Sequence, residues 1–533
     1  MATLKIDGRD VPFEPGDTII RAAWRQGIEI PHYCWHPGLS VAANCRMCLV
    51  EITSGRRMDM PVLRWDDAKK DYVPDVKPKL QPACQMTATE GMEVSTHSAD
   101  VKEAQRSVQE LLLLNHPVDC PICDQAGECK LQDYWLDHEP HLKRKKTEPV
   151  HKPKGVRFGP TIVYDAERCI VCTRCIRVCD ELVGDHALDL RERSNQAEIV
   201  LAPGRELDHR YTLMTEHVCP VGALTSRDFR FKARVWFLRA VDGVCAGCAT
   251  GCNTHVDFDP RLDRVFRLRP RDNLAVNKFW MCDDGMMTYK EVHEDRTYLA
   301  FRGRGAERTE VTIGEALHHA ADALRDAEEG KVGVVLSAKH SSEDNFVLAR
   351  LAREVLRTDK LYLAALPDWE GDEILRSNDH NPNRRGAEMA AGGELESIQD
   401  LIQDVMGGEV SAVLALGWVS DETVEELEAL AKLDTVVSLT SNEGPLPAVA
   451  SIVIPVASWA EHNGTFVNQK GMAQQFRRAI PAPGRIKPAW ETLAALARLL
   501  GKRLDFDKLS DVRSALPSGE VARPRPQAGE ATV

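Results

Sequence analysis

The cysteines of this chain constrain its fold more than any other feature. All sixteen lie within the first 282 of its 533 residues, and fifteen of them fall into four groups. Within a group some cysteines stand close together and one lies far downstream, a spacing typical of metal ligands. The groups, with one histidine included, are Cys34/Cys45/Cys48/Cys84, His116/Cys120/Cys123/Cys129, Cys169/Cys172/Cys175/Cys219 and Cys245/Cys248/Cys252/Cys282.

Disulfides and structural zinc are the alternative uses of these cysteines. A disulfide scaffold needs an oxidising compartment. The first residues show no basic region followed by an apolar run, so no signal peptide is expected. Zinc sites favour two separated Cys-x2-Cys pairs. Three close cysteines with a remote fourth are typical of iron–sulfur clusters, and several clusters in one chain predict a path for single electrons.

Charge and hydropathy narrow the class of protein. The chain has 68 basic and 81 acidic residues, a net charge of −13, which argues against nucleic acid as a partner. No stretch approaches the ~18 apolar residues of a membrane span. The sequence therefore predicts a soluble, intracellular chain that reaches any membrane process by docking to other subunits. The basic run at 141–146 is interpreted as a solvated linker or a subunit contact.

The first cysteine group follows a strand, turn, strand and helix. Residues 3–7 and 10–13 are predicted strands, and 17–27 a capped helix that ends at glycine. That order is typical of a β-grasp ferredoxin, whose loop holds a [2Fe–2S] cluster. The first gap, Cys34-x10-Cys45, is longer than in the plant-type pattern C-x4-C-x2-C. Cys84 is assigned to the site by fold logic alone.

The second group has three thiolates, in the spacing Cys120-x2-Cys123-x5-Cys129. His116 stands just after a predicted helix over 104–114. Its imidazole would complete a [4Fe–4S] site. Alternatively, a protonated His116 would interact favourably with the helix dipole. The spacing alone leaves both interpretations open.

The third group begins with the C-x2-C-x2-C-x3-C run of bacterial ferredoxins. A second run ending at Cys219 would have its other cysteines at positions that hold His209, Thr212 and Thr215. One [4Fe–4S] cluster is therefore predicted, with the ligands Cys169, Cys172, Cys175 and Cys219. Cys179 is left over and is predicted to be a buried free thiol, since free cysteine packs as a small apolar residue.

The fourth group has the spacing Cys245-x2-Cys248-x3-Cys252-x29-Cys282. It resembles the [4Fe–4S] site that opens molybdenum and tungsten oxidoreductases. Short strands are predicted at 255–259 and 264–268. A zinc ribbon has a related layout and remains the alternative.

The cysteine-free half alternates predicted helices with buried strands, which indicates an α/β layer fold. The sequence has no G-x-G-x-x-G after a strand and no P-loop, so it predicts no nucleotide site. The final stretch, rich in Pro, Gly and Ala, is predicted to be a flexible tail. The predicted helices are 313–327, 343–356 and 423–431, and the predicted strands are 332–336, 361–365, 410–416, 436–439 and 452–456.

In this order, the four sites resemble those of the G subunit of bacterial NADH-quinone oxidoreductase, respiratory complex I. Residues 115–133, 159–165 and 219–224 carry the resemblance. It implies that His116 is a ligand. Residues 290–500 resemble, more weakly, the molybdopterin-oxidoreductase domain of that subunit. This region looks shorter than a catalytic domain and has no cysteine, and Asp283-Asp284-Gly285 stand where catalytic relatives carry a basic residue that contacts the pterin.

The resemblance implies a multidomain α+β fold. Its predicted parts are a β-grasp [2Fe–2S] ferredoxin domain (1–95), a one-His/three-Cys [4Fe–4S] domain (96–150), a ferredoxin-like [4Fe–4S] domain (151–235), a molybdoenzyme-type [4Fe–4S] domain (236–295), a degenerate, shortened α/β molybdopterin-oxidoreductase-like domain (296–505) and a flexible tail (506–533). One [2Fe–2S] and three [4Fe–4S] clusters are expected, with no molybdenum cofactor.

The resemblance also implies a function. The chain would relay single electrons from an NADH- and flavin-binding subunit to other iron–sulfur subunits of the peripheral arm, towards quinone, at the cytoplasmic face of the bacterial inner membrane. It would contain no hydride or quinone site and no catalytic residue. The alternative is the electron-transfer subunit of a soluble NAD-linked hydrogenase or formate dehydrogenase complex. A zinc-ribbon assembly factor is a third interpretation, which iron and sulfide analysis would exclude.

Overall fold

The computed structural model describes residues 2–138, 148–420, 422–517 and 520–521. The chain divides into two compact units, one ending at Trp236 and the other beginning at Phe237. Each unit combines helices with several separate sheets, so the predicted multidomain α+β class is confirmed. The basic run at 141–146 lies outside the described residues, and its interpretation stays a prediction.

The first unit opens with a β-grasp arrangement. β1 (Thr3–Ile6) and β2 (Arg9–Pro12) form a hairpin whose turn residues both have positive φ, as this two-residue turn requires. Helix α1 (Ile19–Arg25) follows, and its apolar face packs on the sheet. The next strands are β3 (Leu49–Ser54), β4 (Asp59–Asp66), β5 (Asp71–Pro78), β6 (Gln81–Pro82) and β7 (Glu93–Ser95). Five of the seven strands β1 to β7 form a mixed sheet in the order β2-β1-β7-β3-β6.

A separate hairpin accounts for the long sequence gap between Cys48 and Cys84. β4 and β5 pair only with each other, and β6 then returns to pair with β3. One face of the hairpin is exposed and apolar over the three pairs nearest its turn on that face, and Asp59 lies at the far end of the same face; the apolar residues are Pro61, Leu63, Trp65, Tyr72, Pro74 and Val76. The other face carries most of the charged residues. The hairpin is therefore an insertion that leaves the cysteine-bearing ends of β3 and β6 together.

The rest of the first unit contains helices and small sheets. Helix α2 (Ala99–Leu113) starts earlier than the predicted 104–114, because Ser98 caps it by accepting from the Val101 amide at 3.4 Å. It packs against α3 (Lys130–His138). A three-stranded sheet and a two-stranded sheet follow. Their strands and helices are β8 (Val156–Arg157), β9 (Ile162–Tyr164), α4 (Arg174–Arg177), β10 (Leu188–Arg191), β11 (Glu198–Leu201), α5 (Thr212–His217) and β12 (Leu224–Ser226).

The second unit begins with an antiparallel sheet of three strands, β13 (Arg239–Val244), β14 (Asn253–Asp259) and β15 (Arg264–Pro270). The strands predicted at 255–259 and 264–268 are thereby confirmed. Helix α6 (Asp283–Met287) follows, with Cys282 at its N-cap. This small subdomain carries all four cysteines of the fourth group.

A seven-stranded sheet forms the core of the second unit, in the order β17-β16-β22-β21-β20-β18-β19. Its five strands from β22 to β19 run parallel. They are almost fully buried on both faces, as expected when helices cover each side of a parallel sheet. The strands are β16 (Ala300–Arg302), β17 (Thr309–Val311), β18 (Val332–Ser337), β19 (Leu361–Ala364), β20 (Ala412–Leu416), β21 (Thr435–Thr440) and β22 (Ile452–Pro455).

The helices and remaining strands complete this α/β unit. Of the three predicted helices, two are confirmed, while that at 423–431 forms only a short helix at its end. The elements are α7 (Ile313–Arg325), α8 (Ser342–Leu351), α9 (Arg384–Ala391), α10 (Ile398–Met406), α11 (Glu428–Ala431), α12 (Pro445–Val449), β23 (Gly464–Val467), β24 (Met472–Phe476), α13 (Ala489–Leu499), α14 (Leu509–Ala515) and β25 (Glu520–Val521).

The folded core extends beyond the predicted start of the tail at residue 506. Phe506 and Val512 belong to the main hydrophobic cluster of the α/β unit, and α14 packs against α8. Their burial explains why 506–517 adopts defined structure despite its polar flanks. In the part of the chain that the structure describes, no helix is long and apolar enough to cross a bilayer.

Candidate metal centres

All sixteen cysteines are free thiols, and each is buried or half-buried. No three His, Cys, Asp or Glu side chains of the described residues are arranged around a single-ion position. The thiols instead gather in the four groups expected from their spacing. Backbone pairings, buried arginines and close-packed glycines hold these groups in place.

The first group consists of two thiol pairs. Cys34 lies against Cys45, and Cys48 against Cys84, each pair in hydrogen-bonding contact. The hydrogen bond from Cys45 lowers the pKa of Cys34. Cys84 is placed by the pairing of β3 with β6, where the Ala83 amide donates to the Cys48 carbonyl at 2.9 Å. Two pairs of thiols fit a [2Fe–2S] cluster, in which each iron takes two protein ligands.

A buried arginine joins the loops of the first and third groups. The Arg177 guanidinium donates to the carbonyl of Cys34 at 2.6 Å and to that of Cys172 at 3.3 Å. It also donates to the Ser40 carbonyl. The side chain is only 8% exposed, so these carbonyls replace the water that a guanidinium otherwise needs. One side chain therefore holds two cysteine loops in a fixed relation.

Arg174 reinforces the same junction. It donates to the Val218 carbonyl at 3.1 Å, next to Cys219, and to the Trp35 carbonyl, next to Cys34. Neither arginine was predicted from the sequence. The available signal was a pair of charged residues inside a cysteine run that must pack against metal clusters, since arginine is rarely buried without partners.

The second group brings together Cys120, Cys123 and Cys129. Beside the larger effect of burial, a negative charge on Cys120 raises the pKa of Cys123, and one on Cys123 raises the pKa of Cys129. Burial raises the pKa of Cys129 to about 11. A Cβ at Gly222 would lie 2.6 Å from the Cys123 Sγ atom, so only glycine fits there. The Lys130 amide also donates to the Pro220 carbonyl at 3.0 Å. The loops of the second and third groups are therefore direct neighbours.

His116 has the properties of a neutral ligand. Its Nδ1 atom is buried and has no hydrogen-bond partner among the described residues. Burial lowers the pKa of His116 to about 4, so the ring is uncharged near neutral pH. An unsatisfied buried nitrogen costs roughly 1–3 kcal/mol. The alternative of a protonated histidine on the helix dipole requires a charge that this burial opposes, so the geometry favours ligation.

In the third group, Cys175 lies among Cys172, Cys169 and Cys219. Burial raises its pKa well above the usual range, and the charges of those three thiols add to the effect. Burial likewise raises the pKa of Cys169 to about 11. The remote Cys219 thus lies close to the three cysteines of the run, and their joint role as ligands stays a prediction.

Cys179 is fully buried, and its Sγ atom lies 3.6 Å from the Nε2 atom of His209. His209 is one of the positions where a second ferredoxin cluster would have a cysteine. Thr212 occupies another of these positions. Its hydroxyl lies 2.5 Å from that of Thr161. Protein side chains therefore occupy the space that a paired cluster would need.

The fourth group is the most buried of the four. Burial raises the pKa of Cys252 well above its usual range. Negative charge on the neighbouring thiols raises it further, and these neighbours are Cys245, Cys248 and Cys282. The Gly285 amide donates to the Cys282 Sγ atom at 3.3 Å. A second glycine amide, that of Gly247, donates to the Cys245 Sγ atom at 3.3 Å.

Amide donors aimed at the sulfur atoms suit thiolate ligands, because hydrogen bonds to the sulfurs stabilise negative charge. A Cβ on Gly285 would lie 3.0 Å from the Cys245 Sγ atom and 3.3 Å from that of Cys282. The glycine therefore allows the backbone to approach the sulfurs closely. This donor set fits a cluster held by four thiolates.

The crevice at the carboxyl ends of β18 and β20 is the place where an open parallel sheet usually binds a ligand, because the strand order reverses there. Here Gly417 would place a Cβ 2.7 Å from the Ser337 Oγ atom and 3.3 Å from the His340 Cε1 atom. The ring of Trp418 contacts that of His340, with centroids 5.6 Å apart. The side chains of Ser337, His340 and Trp418 therefore pack against one another at this crevice.

Asp284, two residues after Cys282, lies 3.5 Å from the Arg376 Nε atom. Arg376 in turn stacks on Trp369, 3.6 Å from the ring centroid. The position at which catalytic relatives were expected to carry a basic residue thus holds an acid that is paired within the protein.

Four family models match the chain. They are the 2Fe-2S iron-sulfur cluster binding domain (residues 1–99), the NADH-ubiquinone oxidoreductase-G iron-sulfur binding region (105–141), the ferredoxin-like domain of NADH-quinone oxidoreductase subunit 3 (159–225) and molybdopterin oxidoreductase (305–499). Together they extend over both units.

Curated proteins described as the G subunit of NADH-quinone oxidoreductase are similar to it. That of Streptomyces coelicolor is 34% identical over 68% of this chain and 40% of its own length. That of Rickettsia felis is 32% identical over 77% of this chain and 58% of its own length, and that of Mycobacterium bovis 33% over 69% and 43%. The chain thus spans about half the length of these relatives.

Among the solved structures, the chain is similar to one described as a crystal structure of an NAD+-reducing [NiFe]-hydrogenase in the H2-reduced state. It is 26% identical over 44% of this chain and 91% of its own, with a TM-score of 0.36.

Proposed function

Because the chain belongs to the family of the NADH-quinone oxidoreductase G subunits, we propose that it relays single electrons within the peripheral arm of such a complex, from an NADH- and flavin-binding subunit towards quinone. The family match and the iron–sulfur domains carry the first part of this statement. The direction of transfer, the partner subunits and a location at the cytoplasmic face of the bacterial inner membrane are part of the same proposal.

The ligand assignment follows from the four donor sets. We assign a [2Fe–2S] cluster to the first and one [4Fe–4S] cluster to each of the others, the second including His116. When bound, such clusters accept and release one electron at a time. The chain's own residues hold them, exclude water and set their surroundings. The ligands are Cys34, Cys45, Cys48 and Cys84; His116, Cys120, Cys123 and Cys129; Cys169, Cys172, Cys175 and Cys219; and Cys245, Cys248, Cys252 and Cys282.

The observation that carries the proposal is the contact between successive cysteine loops in the first unit. Arg177 donates to backbone carbonyls of both the first and the third group. Gly222, beside Cys219, approaches the Cys123 sulfur of the second group. The third group therefore neighbours the other two, as a relay requires, whereas independent structural metal sites would need no such contact.

The α/β domain supports the proposal as a scaffold without a molybdenum cofactor. His340 and Trp418 pack against each other at the crevice beyond β18 and β20. The domain also has no cysteine to bind the metal. Apart from the start of the tail, the boundaries of the six predicted domains stay predictions.

Iron and acid-labile sulfide analysis of the anaerobically purified chain tests the proposal, with low-temperature EPR after graded reduction. One [2Fe–2S] signal and three [4Fe–4S] signals are expected. Zinc in place of iron would overturn it in favour of a structural protein. A stoichiometric molybdenum content would overturn it in favour of a catalytic one.

A further inference from the structure

A buried lysine from the α/β domain reaches the loop of the fourth cysteine group. Lys339 follows strand β18, and its side chain is only 2% exposed. The Nζ atom donates to the Ala246 carbonyl at 2.9 Å. Ala246 follows Cys245 and precedes Cys248 by two positions, so the ammonium group is bound to the backbone of the loop that carries both thiols.

One carboxylate accompanies this lysine. The Glu291 Oε1 atom accepts from the Lys339 Nζ atom at 3.1 Å. The Glu291 side chain is 34% exposed, whereas Lys339 is enclosed. The ammonium contacts the cysteine loop itself, whereas the Glu291 carboxylate contacts the ammonium. A net positive field therefore remains on the cluster side of the pair.

Both charges act on the first ligand of the group. The Lys339 ammonium attracts negative charge on the Cys245 sulfur, and the Glu291 carboxylate repels it. The same field acts on any negative charge held by these thiolates. Adding one electron to a cluster makes it more negative by one unit and, in this step, moves no proton.

We propose that Lys339 is a positioning residue that holds the Cys245–Cys248 loop through the Ala246 carbonyl and raises the reduction potential of the cluster bound there. The proposal rests on the function proposed above. It also assigns a role to the degenerate α/β domain, which supplies a fixed cation to the fourth site in place of a cofactor.

The size of the effect follows from Coulomb's law. A unit charge a few ångströms away, at an effective dielectric constant of about 20, changes a one-electron equilibrium by more than tenfold. Tenfold in the ratio of oxidised to reduced cluster corresponds to about 59 mV. Removing the lysine charge should therefore shift the midpoint by at least this amount.

The test is an EPR-monitored redox titration of the full chain, with dithionite as the electron donor. The fourth signal is first identified by its loss in Cys252→Ser. In Lys339→Met, that signal alone should move to a potential lower by about 59 mV or more, a tenfold change in ratio. Lys339→Arg should restore most of the shift. Lys331→Met, at the other end of the same strand where the side chain is 37% exposed, is the matched control and should change nothing.

Glu291→Gln keeps the proposal falsifiable if Lys339→Met fails to retain the cluster. It removes the opposing charge, so the fourth signal should move to a higher potential. If Lys339 had only a structural role, the two variants would not shift the reduction potential in opposite directions. Unchanged potentials in Lys339→Met or in Glu291→Gln would overturn the inference, while absence of all iron–sulfur signals from the unaltered chain would overturn the proposed function instead.

Discussion

Replacing Arg177 by methionine should loosen the contact between the first and third cysteine loops. The guanidinium donates to the carbonyls of Cys34, Ser40 and Cys172. Each hydrogen bond to a charged donor is worth about 1.5–3 kcal/mol, and the three are not additive because one side chain makes them all. Methionine fills similar space but takes this donor away from the buried Cys34 and Cys172 carbonyls. A local loss of roughly 3–5 kcal/mol is therefore expected.

Hydrogen exchange measures this loss better than global denaturation, because a multidomain chain does not unfold in two states. A loss of 3 kcal/mol speeds amide exchange roughly a hundredfold, since every 1.4 kcal/mol is tenfold. The peptides to compare cover residues 34–45 and 169–179. Arg21→Met is the matched control, because Arg21 makes a single bond to the Pro37 carbonyl at 3.1 Å in the same loop. Because Arg21 is only half-buried and water can replace its lost bond, that variant should cost less, about 1 kcal/mol, or roughly fivefold.

Exchange in Arg177→Met that differs from the unaltered chain by less than about tenfold, a loss below 1.4 kcal/mol, would refute this reasoning. So would equal effects of the two arginine variants. Either result would mean that the loops are held by their clusters or by packing, and that the arginine contacts contribute little.

Further predictions concern the metal sites. His116→Ala should lose the second [4Fe–4S] signal in the EPR spectrum, while His116→Cys should keep it with changed features. Because burial lowers the pKa of His116 to about 4, iron should be retained at this site between pH 5 and 8 and lost as the pH falls through 4. Burial raises the pKa of Cys169 to about 11, so thermal unfolding should show the metal-free chain losing stability as the pH rises from 9 to 11. Binding of iron by thiols releases protons, so reconstitution with iron should become more complete as the pH rises from 6 to 8.5. Gly285→Ala should lower iron occupancy at the fourth site, since its Cβ would lie 3.0 Å from the Cys245 Sγ atom, whereas Gly393→Ala, where nothing lies within 4 Å, should not; equal iron contents would contradict this.

Much of the site could be predicted because cluster ligands obey local spacing. Three thiols on one short loop converge on one centre whatever surrounds them, so runs such as Cys169 to Cys175 indicate their chemistry directly. The α/β half could likewise be predicted from its buried strands and amphipathic helices, because the spacing of hydrophobic residues is a local property of the sequence. The end of that domain was wrongly predicted, because the burial of Phe506 and Val512 depends on α8 and not on adjacent sequence.

The sequence by itself determined which chemistry the chain can hold, through the types and spacing of its cysteines. Only the tertiary structure decided how the sites are tuned and joined. Cys84 reaches Cys48 through a strand pairing across an inserted hairpin, and Arg177 and Lys339 reach cysteine loops across 143 and 93 positions. The physical reason is that ligand geometry is local, whereas the burial of a charge against a distant backbone carbonyl exists only after the chain has folded.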